Sequence, residues 1–173
     1  MKDWQKYLAE VFGTFTLVFL GSLALVENGQ VSGLNPISGT IIIPFAFGLA
    51  LLAGLYAFGE VSGGHFNPAV SLAMFLDRRL AAADLVSYWA SQIIGAVLAS
   101  LTILLAFTKQ DVANTATTHS STKTALVIEI ALTAVFVLVI LQVTKSGTYG
   151  STALIAIPLT LVAIHFAAVP FSG

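Results

Sequence analysis

The sequence contains no cysteine and very little charge. Only 9% of its 173 residues are charged, whereas soluble domains carry roughly 25%. The lack of cysteine excludes disulfides, iron–sulfur clusters and thiol catalysis. A net charge of −1 leaves no basic surface for nucleic acid, and the histidines at positions 65, 119 and 165 lack the spacing of metal ligands. We therefore exclude a soluble enzyme, and we expect no catalytic residues, no metal and no cofactor.

The sequence is instead rich in long apolar runs. Hydrophobic residues make up 57% of the chain and the mean hydropathy is +0.95. A bilayer core about 30 Å thick needs about 20 apolar residues per crossing helix, and a backbone in lipid must satisfy its own hydrogen bonds. We therefore predict an all-α membrane protein with five transmembrane helices. The predicted helices cover residues 7–26, 37–58, 85–107, 125–143 and 152–169.

A further apolar stretch, between the second and third runs, is too short to cross a bilayer. It begins at Asn67 and extends for about ten residues, which gives about 15 Å of helix. Asparagine is a preferred N-cap and proline is favoured at the first helical position. The pair Asn67-Pro68 therefore predicts the start of a helix that enters the membrane only halfway.

The start of this half-helix has the chemistry of a site for small neutral solutes. If the amide oxygen of Asn67 caps the helix, its NH₂ group remains a donor beside a helix end that carries about half a positive charge. Such an end binds a water oxygen and repels protons and metal cations. The irregular backbone of Gly63, Gly64, His65 and Phe66 is tolerated at this depth where it lines a watery cavity. Their carbonyl groups are therefore candidate acceptors, although the His65 ring is an alternative pore-lining group.

The basic residues indicate how the chain is oriented. If the N-terminus is cytoplasmic, five basic residues fall on the cytoplasmic side and two on the other, as the positive-inside rule requires. The five are Lys2, Lys6, Arg78, Arg79 and Lys145.

An internal repeat relates the two halves of the sequence. An acid and a threonine four positions apart occur in the first apolar run (Glu10 and Thr14) and again in the fourth (Glu129 and Thr133). Three crossings separate the two copies, so they lie in opposite orientation, an arrangement that places a site near the bilayer midplane. We predict one domain over residues 1–173, with a first repeat over about 1–108 and a partial second repeat over about 122–173. An acid inside a membrane suggests either a proton relay or structural support.

Several stretches resemble one known family. Residues 62–71, with the sequence SGGHFNPAVS, look like the first Asn-Pro-Ala box of the aquaporins, the major intrinsic protein family. Residues 9–15 and 91–96 resemble the family's first and third helices. The resemblance implies a homotetrameric channel for water, or for glycerol and other small neutral solutes, in the plasma membrane of a microbe. It also implies that Glu10 and Glu129 each support a re-entrant loop.

The resemblance further implies which solute passes. Phe47 and His165 are similar to the aromatic residue and the histidine that narrow the pore of water-selective members. Glycerol-conducting members have a tryptophan and a small residue at these places. We therefore expect a passive water channel that excludes protons and ions. A glycerol facilitator of the same fold and a non-conducting membrane scaffold are the alternatives.

The family pattern has two Asn-Pro-Ala boxes and this sequence contains one. Ser62 precedes Asn67 by five positions, so Ser172 in the second repeat predicts the second asparagine at position 177, beyond Gly173. The sixth helix, the second half-helix and the family's selectivity-filter arginine are expected beyond the same point. We therefore interpret the sequence as an aquaporin-like inverted repeat that is truncated at its C-terminus.

Overall fold

A computed structural model describes residues 3–30, 36–114, 120–145 and 152–172, and this part of the chain is entirely helical outside its loops. The helices are α1 (Asp3–Gln30), α2 (Pro36–Ser62), α3 (Pro68–Leu76), α4 (Ala82–Ala106), α5 (Lys109–Asn114), α6 (Thr122–Val143) and α7 (Ala153–Ser172).

The helices agree with the predicted fold class. Four of the described helices, α1, α2, α4 and α6, are long and apolar enough to cross a membrane, and α7 contains a shorter apolar helix over Ala153–Ala168. The all-α membrane fold is therefore confirmed. The helices also extend beyond the predicted runs, because an apolar run marks the lipid-covered part of a helix and polar residues can continue it. The clearest case is α1, which begins at Asp3 rather than at residue 7.

The short helix α5 was not predicted. Its residues lie between the predicted apolar runs 85–107 and 125–143. In the structure Thr108 and Asp111 cap each other, since the Thr108 backbone N–H donates to Asp111 Oδ2 (3.0 Å) and the Asp111 N–H donates to Thr108 Oγ1 (3.3 Å). Reciprocal capping of this kind satisfies the free donors at a helix start, which explains one short helix in a polar stretch.

The crossing helices pack in two groups around the half-helix. Helix α1 packs against α2 and α4, helix α7 packs against α2 and α6, and α3 contacts both α4 and α6. Gly95 allows a close approach of α4 to α1, because a Cβ at this position would overlap the carbonyl oxygen of Val11. The buried core surrounds α3 and consists of Leu51, Leu55, Phe66, Val70, Met74, Phe136, Ile140, Ile157 and Leu161.

Helix α3 is the predicted half-helix. It has nine residues, which corresponds to about 14 Å, and its N-cap is Asn67 with extended backbone angles (φ −153°, ψ 128°). Its C-cap is Asp77, after which Arg78 adopts a left-handed conformation (φ 62°) that turns the chain toward α4. The predicted start at Asn67 and Pro68 is thus confirmed.

Candidate functional site

Asn67 uses its amide oxygen as the helix cap. Its Oδ1 accepts hydrogen bonds from the backbone N–H groups of Ala69 (2.8 Å) and Val70 (3.4 Å). This assignment leaves the two N–H bonds of Nδ2 as donors, and no described residue accepts from them. The side chain is only partly buried, so its donor group is available to a solute.

Two cavities meet at Asn67. The narrow cavity has a volume of about 50 Å³ and is lined by Gly63, Gly64 and His65, among others. The wide cavity has a volume of about 340 Å³, and its lining includes Phe66. Leu17, Asn67 and Leu161 line both cavities, so the cavities adjoin at the start of the half-helix. Because one water needs about 10–15 Å³, the narrow cavity accommodates about three to five water molecules.

The loop before the half-helix leaves its carbonyl groups without protein donors. Gly63, Gly64 and Phe66 have positive φ angles (89°, 65° and 46°), a backbone conformation that glycine adopts readily and phenylalanine rarely. No described residue donates a hydrogen bond to a carbonyl oxygen between Gly63 and Phe66. Gly63 is exposed, Gly64 is partly buried, and His65 and Phe66 are buried; since buried backbone groups are nearly always paired, we expect water to bond the carbonyls of His65 and Phe66.

Glu10 holds this loop from the side of α1. Its carboxylate is fully buried, with 0% exposure. Oε1 accepts from Ser62 Oγ (2.7 Å) and from the His65 backbone N–H (3.0 Å), and Oε2 accepts from the Phe66 N–H (2.8 Å). A buried charge is tolerated only when it is hydrogen-bonded in this way. The geometry is that of a carboxylate that fixes the path of a loop; its part in transport stays a prediction.

Three residues of α4 also position the loop and were missed in the sequence. The Tyr88 hydroxyl donates to the Ser62 carbonyl (2.6 Å), and the Trp89 indole N–H donates to the Pro68 carbonyl (3.0 Å). Gln92 Nε2 donates to Glu10 Oε2 (2.7 Å) and to Ser71 Oγ (2.9 Å). The available signal was the occurrence of hydrogen-bonding side chains at spacings of one and three to four within an apolar run. Gln92 lies in the stretch 91–96 that resembles the family's third helix, and no role was predicted for it.

His65 and Phe66 are held by different contacts. The His65 ring is buried, its Nδ1 lies 3.1 Å from Ser71 Oγ, and the ring packs edge-on against Tyr88 with a centroid distance of 5.0 Å. Its ring is thus bonded locally even though the residue borders the narrow cavity. The Phe66 ring lies between α1 and α2, where a Cβ at Gly13 would overlap it.

Phe47 and His165, predicted as a constriction pair, lie together in the wall of the wide cavity. Their rings stack with a centroid distance of 4.7 Å and an interplanar angle of 23°. His165 Nδ1 lies 2.9 Å from the Leu161 carbonyl oxygen, which can only accept. Nδ1 therefore carries the proton and Nε2 is an acceptor in the neutral ring. That this pair limits the pore width stays a prediction.

Glu129 lies on another side of the half-helix. It is exposed and borders a groove of about 440 Å³, together with Ala69 and Leu72 of α3 and Thr133 of α6. The structure does not bring it to the loop that Glu10 holds. The matching part of the second repeat, the Ser172 side chain and Gly173, lies outside the described residues, and the predicted support of a second loop by Glu129 stays a prediction.

Comparison with known proteins agrees with this geometry. The sequence profile described as "Major intrinsic protein" matches residues 1–173. The chain belongs to the major intrinsic protein family. It is 39% identical to glycerol uptake facilitator protein-like 6 of Lactiplantibacillus plantarum over 98% of this chain and 77% of that protein. It is 38% identical to aquaporin Z of Brucella melitensis over 98% of this chain and 78% of that protein.

A solved structure shows the same fold. The aquaglyceroporin from Plasmodium falciparum superposes with a TM-score of 0.78 over 96% of this chain and 71% of that chain, at 23% sequence identity. Membership of the major intrinsic protein family makes the chain an integral membrane protein and a channel, a role that fits a protein without enzymatic activity. The resemblance drawn from residues 62–71 is thereby confirmed.

Proposed function

We propose that this member of the major intrinsic protein family conducts water and excludes protons and ions. The observation that carries the proposal is the position of Asn67. Its free amide N–H bonds lie at the junction of the two cavities, beside the start of a helix. The helix end adds about half a positive charge, so this point attracts a water oxygen and repels a cation.

The loop carbonyls and Asn67 would act in sequence along the conduit. Carbonyl groups of Gly63, Gly64, His65 and Phe66 accept hydrogen bonds from water in or beside the narrow cavity. At the junction Asn67 donates instead, so a water molecule there turns its oxygen toward the amide. Because its oxygen already accepts from the amide, this molecule cannot also accept a proton from the water molecules before and after it, which supports the exclusion of protons.

The stacked pair of Phe47 and His165 favours water over glycerol. Selectivity in such pores depends on diameter and on the donors and acceptors of the lining, and this pair presents two rings and one acceptor nitrogen to the wide cavity. A glycerol facilitator is the second candidate, since the relative at 39% identity is named a glycerol uptake facilitator-like protein. The buried Thr14 Oγ1 and Gln92 Oε1 also favour it, because both lack partners among the described residues and both side chains border the wide cavity.

Stopped-flow swelling of proteoliposomes tests the proposal, with protein expressed from its complete reading frame. Fast osmotic water flow with slow glycerol uptake is the expected result. Fast glycerol uptake would support the facilitator, and no flux of either solute above that of protein-free liposomes would support a non-conducting scaffold. Addition of a proton gradient and a pH-sensitive dye shows whether protons pass with the water.

His165→Ala separates the two solutes further. Removal of the ring widens the wall next to Phe47, so glycerol uptake should rise relative to water flow. Thr160→Ala on the same helix is a suitable control, because the Thr160 hydroxyl donates to the Ala156 carbonyl one turn away (2.7 Å) and has no other partner among the described residues. An unchanged ratio of glycerol to water in His165→Ala would rule out the constriction.

The proposal includes a cytoplasmic N-terminus, a homotetramer and a microbial plasma membrane. The distribution of basic residues supports the orientation, and the bacterial relatives support the location. Because the chain has no cysteine, an impermeant thiol reagent added to spheroplasts should label Lys123→Cys and not Arg78→Cys. The opposite labelling would reverse the orientation, and native mass measurement determines the number of subunits.

A further inference from the structure

Arg79 lies between the C-terminal ends of two helices. Its Nε pairs with Asp77 Oδ2 at 2.8 Å, and Asp77 is the C-cap of α3. On the other side Nη1 donates to Thr144 Oγ1 (2.8 Å) and Nη2 to the Leu141 carbonyl (3.4 Å). Thr144 is the C-cap of α6. One guanidinium thus connects the end of the half-helix to the end of a crossing helix in the other repeat.

These two helix ends form one mouth of the narrow cavity. Met74 near the end of α3 and both Ile140 and Thr144 near the end of α6 line that cavity. The C-terminus of a helix carries about half a negative charge, and Asp77 adds a full one. Without compensation, the mouth would attract small cations toward the water in the narrow cavity.

Arg79 differs from the other basic groups on this face. Arg79, Arg78 and Lys145 are all exposed, but neither the Arg78 nor the Lys145 side chain has a hydrogen-bond partner among the described residues. Their charges are free to move into solvent, where salt and water screen them. The charge of Arg79 is instead fixed by three contacts that use the planar fork of the guanidinium, which lysine cannot reproduce.

From these contacts we infer that Arg79 is a specificity-determining residue of the channel. It offsets about half of the negative charge at the ends of α3 and α6 and so weakens the attraction of this mouth of the narrow cavity for small cations. Asp77 and Thr144 are its positioning residues. The inference rests on the proposed conduit for its physiological meaning, while the local potential that it asserts can be measured without any flux.

The test uses the absence of cysteine. Gln142→Cys introduces a thiol at an exposed position next to Leu141, in a stretch of 173 residues that contains no other. The rates of its reaction with a sulfonate and with a trimethylammonium methanethiosulfonate are compared at low salt. A unit charge about 10 Å away in a nearly aqueous medium changes the rate of each reagent by about twofold in opposite directions. Arg79→Gln should therefore lower the ratio of anionic to cationic rates about fourfold.

Matched variants separate a fixed charge from a merely nearby one. Arg78→Gln removes the same charge from the neighbouring position and should lower the ratio by less than about twofold, because its charge is solvated. Thr144→Val keeps Arg79 but removes its acceptor, so the ratio should fall in the same direction by a smaller factor, which keeps the test decisive if Arg79→Gln does not fold. Equal effects of Arg79→Gln and Arg78→Gln, or an unchanged ratio in Thr144→Val, would overturn the inference. Water flow in the same variants reports separately on the proposed function.

Discussion

Among the described residues, Glu10 is the only charged side chain that is buried. The free-energy cost of burying its charge is offset by the groups that donate hydrogen bonds to it. An unpaired buried charge costs far more than a hydrogen bond contributes. The carboxylate accepts hydrogen bonds from Ser62, His65 and Phe66 at the loop and from Gln92 of α4, and these bonds offset the cost. Removal of one donor should therefore loosen the loop as a whole.

Gln92→Leu tests this dependence. The leucine keeps most of the volume but removes the N–H bonds to Glu10 and Ser71, and a hydrogen bond to a charged group is worth about 1.5–3 kcal/mol. We expect the free energy of unfolding in detergent to fall by about that amount, together with reduced water flow. Ser100→Ala on the same helix removes only an exposed bond to Ala96 and should change stability by less than about 0.5 kcal/mol. Equal losses in both variants would contradict the role of Gln92.

Asn67→Asp tests the electrostatics of the cavity junction. Aspartate caps a helix as well as asparagine does, so α3 should keep its start while a donor is replaced by a negative charge. We expect the leak of K⁺ into proteoliposomes to rise at least about tenfold, since one charge in a medium of low polarity shifts ion energies by more than 1.4 kcal/mol. Thr122→Asp adds the same charge at the exposed start of α6 and should leave the leak unchanged. An unchanged leak in Asn67→Asp would show that ions are excluded elsewhere.

The N-cap role of Asn67 could be predicted from its neighbours in the sequence, whereas the hydrogen-bond partners of Glu10 could not. The cap of Asn67 involves residues two and three positions away, so four consecutive residues are enough to predict it. Glu10 bonds residues 52 to 82 positions away, and only the packing of α1, α4 and the loop brings them together. An acid in an apolar run indicates that it has hydrogen-bond partners, but the sequence does not identify them.

At the scale of elements, the half-helix is held in place by the ring that precedes it. Phe66 is only 2% exposed and lies against α1 and α2, where Gly13 and Gly54 leave room for it. Its left-handed backbone also directs the chain from the loop into α3. The position of α3 therefore depends on Gly13 in α1 and Gly54 in α2, which leave the space that the Phe66 ring occupies.

Gly13→Ala should displace this ring. The added methyl group would overlap Phe66, and overpacking of a buried site typically costs about 1–3 kcal/mol. In α2, Gly59→Ala is the matched control, because a Cβ there meets only Leu55 at 3.8–3.9 Å and alanine favours a helix by up to about 1 kcal/mol. We expect a lower thermal unfolding temperature for Gly13→Ala and an equal or higher one for Gly59→Ala. A stable Gly13→Ala protein with unchanged water flow would show that the ring does not fix the loop.

Helix existence was easier to predict than helix ends. The apolar runs located every crossing helix because lipid exposure fixes composition. The ends differ since Asp3 and Ser62 continue α1 and α2 in regions where lipid no longer selects the side chains. Helix α5 was missed for a related reason, as two capping residues stabilise it without any apolar pattern.

At the scale of the whole molecule, the narrow cavity lies between the two predicted repeats. The narrow cavity has walls from the loop and α3 of the first repeat and from α6 and α7 of the second. The sequence predicted the repeat through Glu10 and Glu129, and the contacts across it, such as Arg79 with Thr144, required the structure. The second Asn-Pro-Ala box, expected at position 177, stays a prediction.

The central claim is that α3 starts deep in the bilayer and ends near one surface, and spin-label depth measures this directly. Nitroxides are placed singly at Ala69, Leu72 and Leu76, and their accessibility to oxygen and to a nickel chelate gives the depth of each. Val86 and Leu105, exposed at opposite ends of α4, calibrate a full crossing of about 28 Å. We predict a steady decrease in depth of about 10 Å from Ala69 to Leu76. Equal depths along α3, or a profile that passes through the midplane to the other surface, would contradict the account.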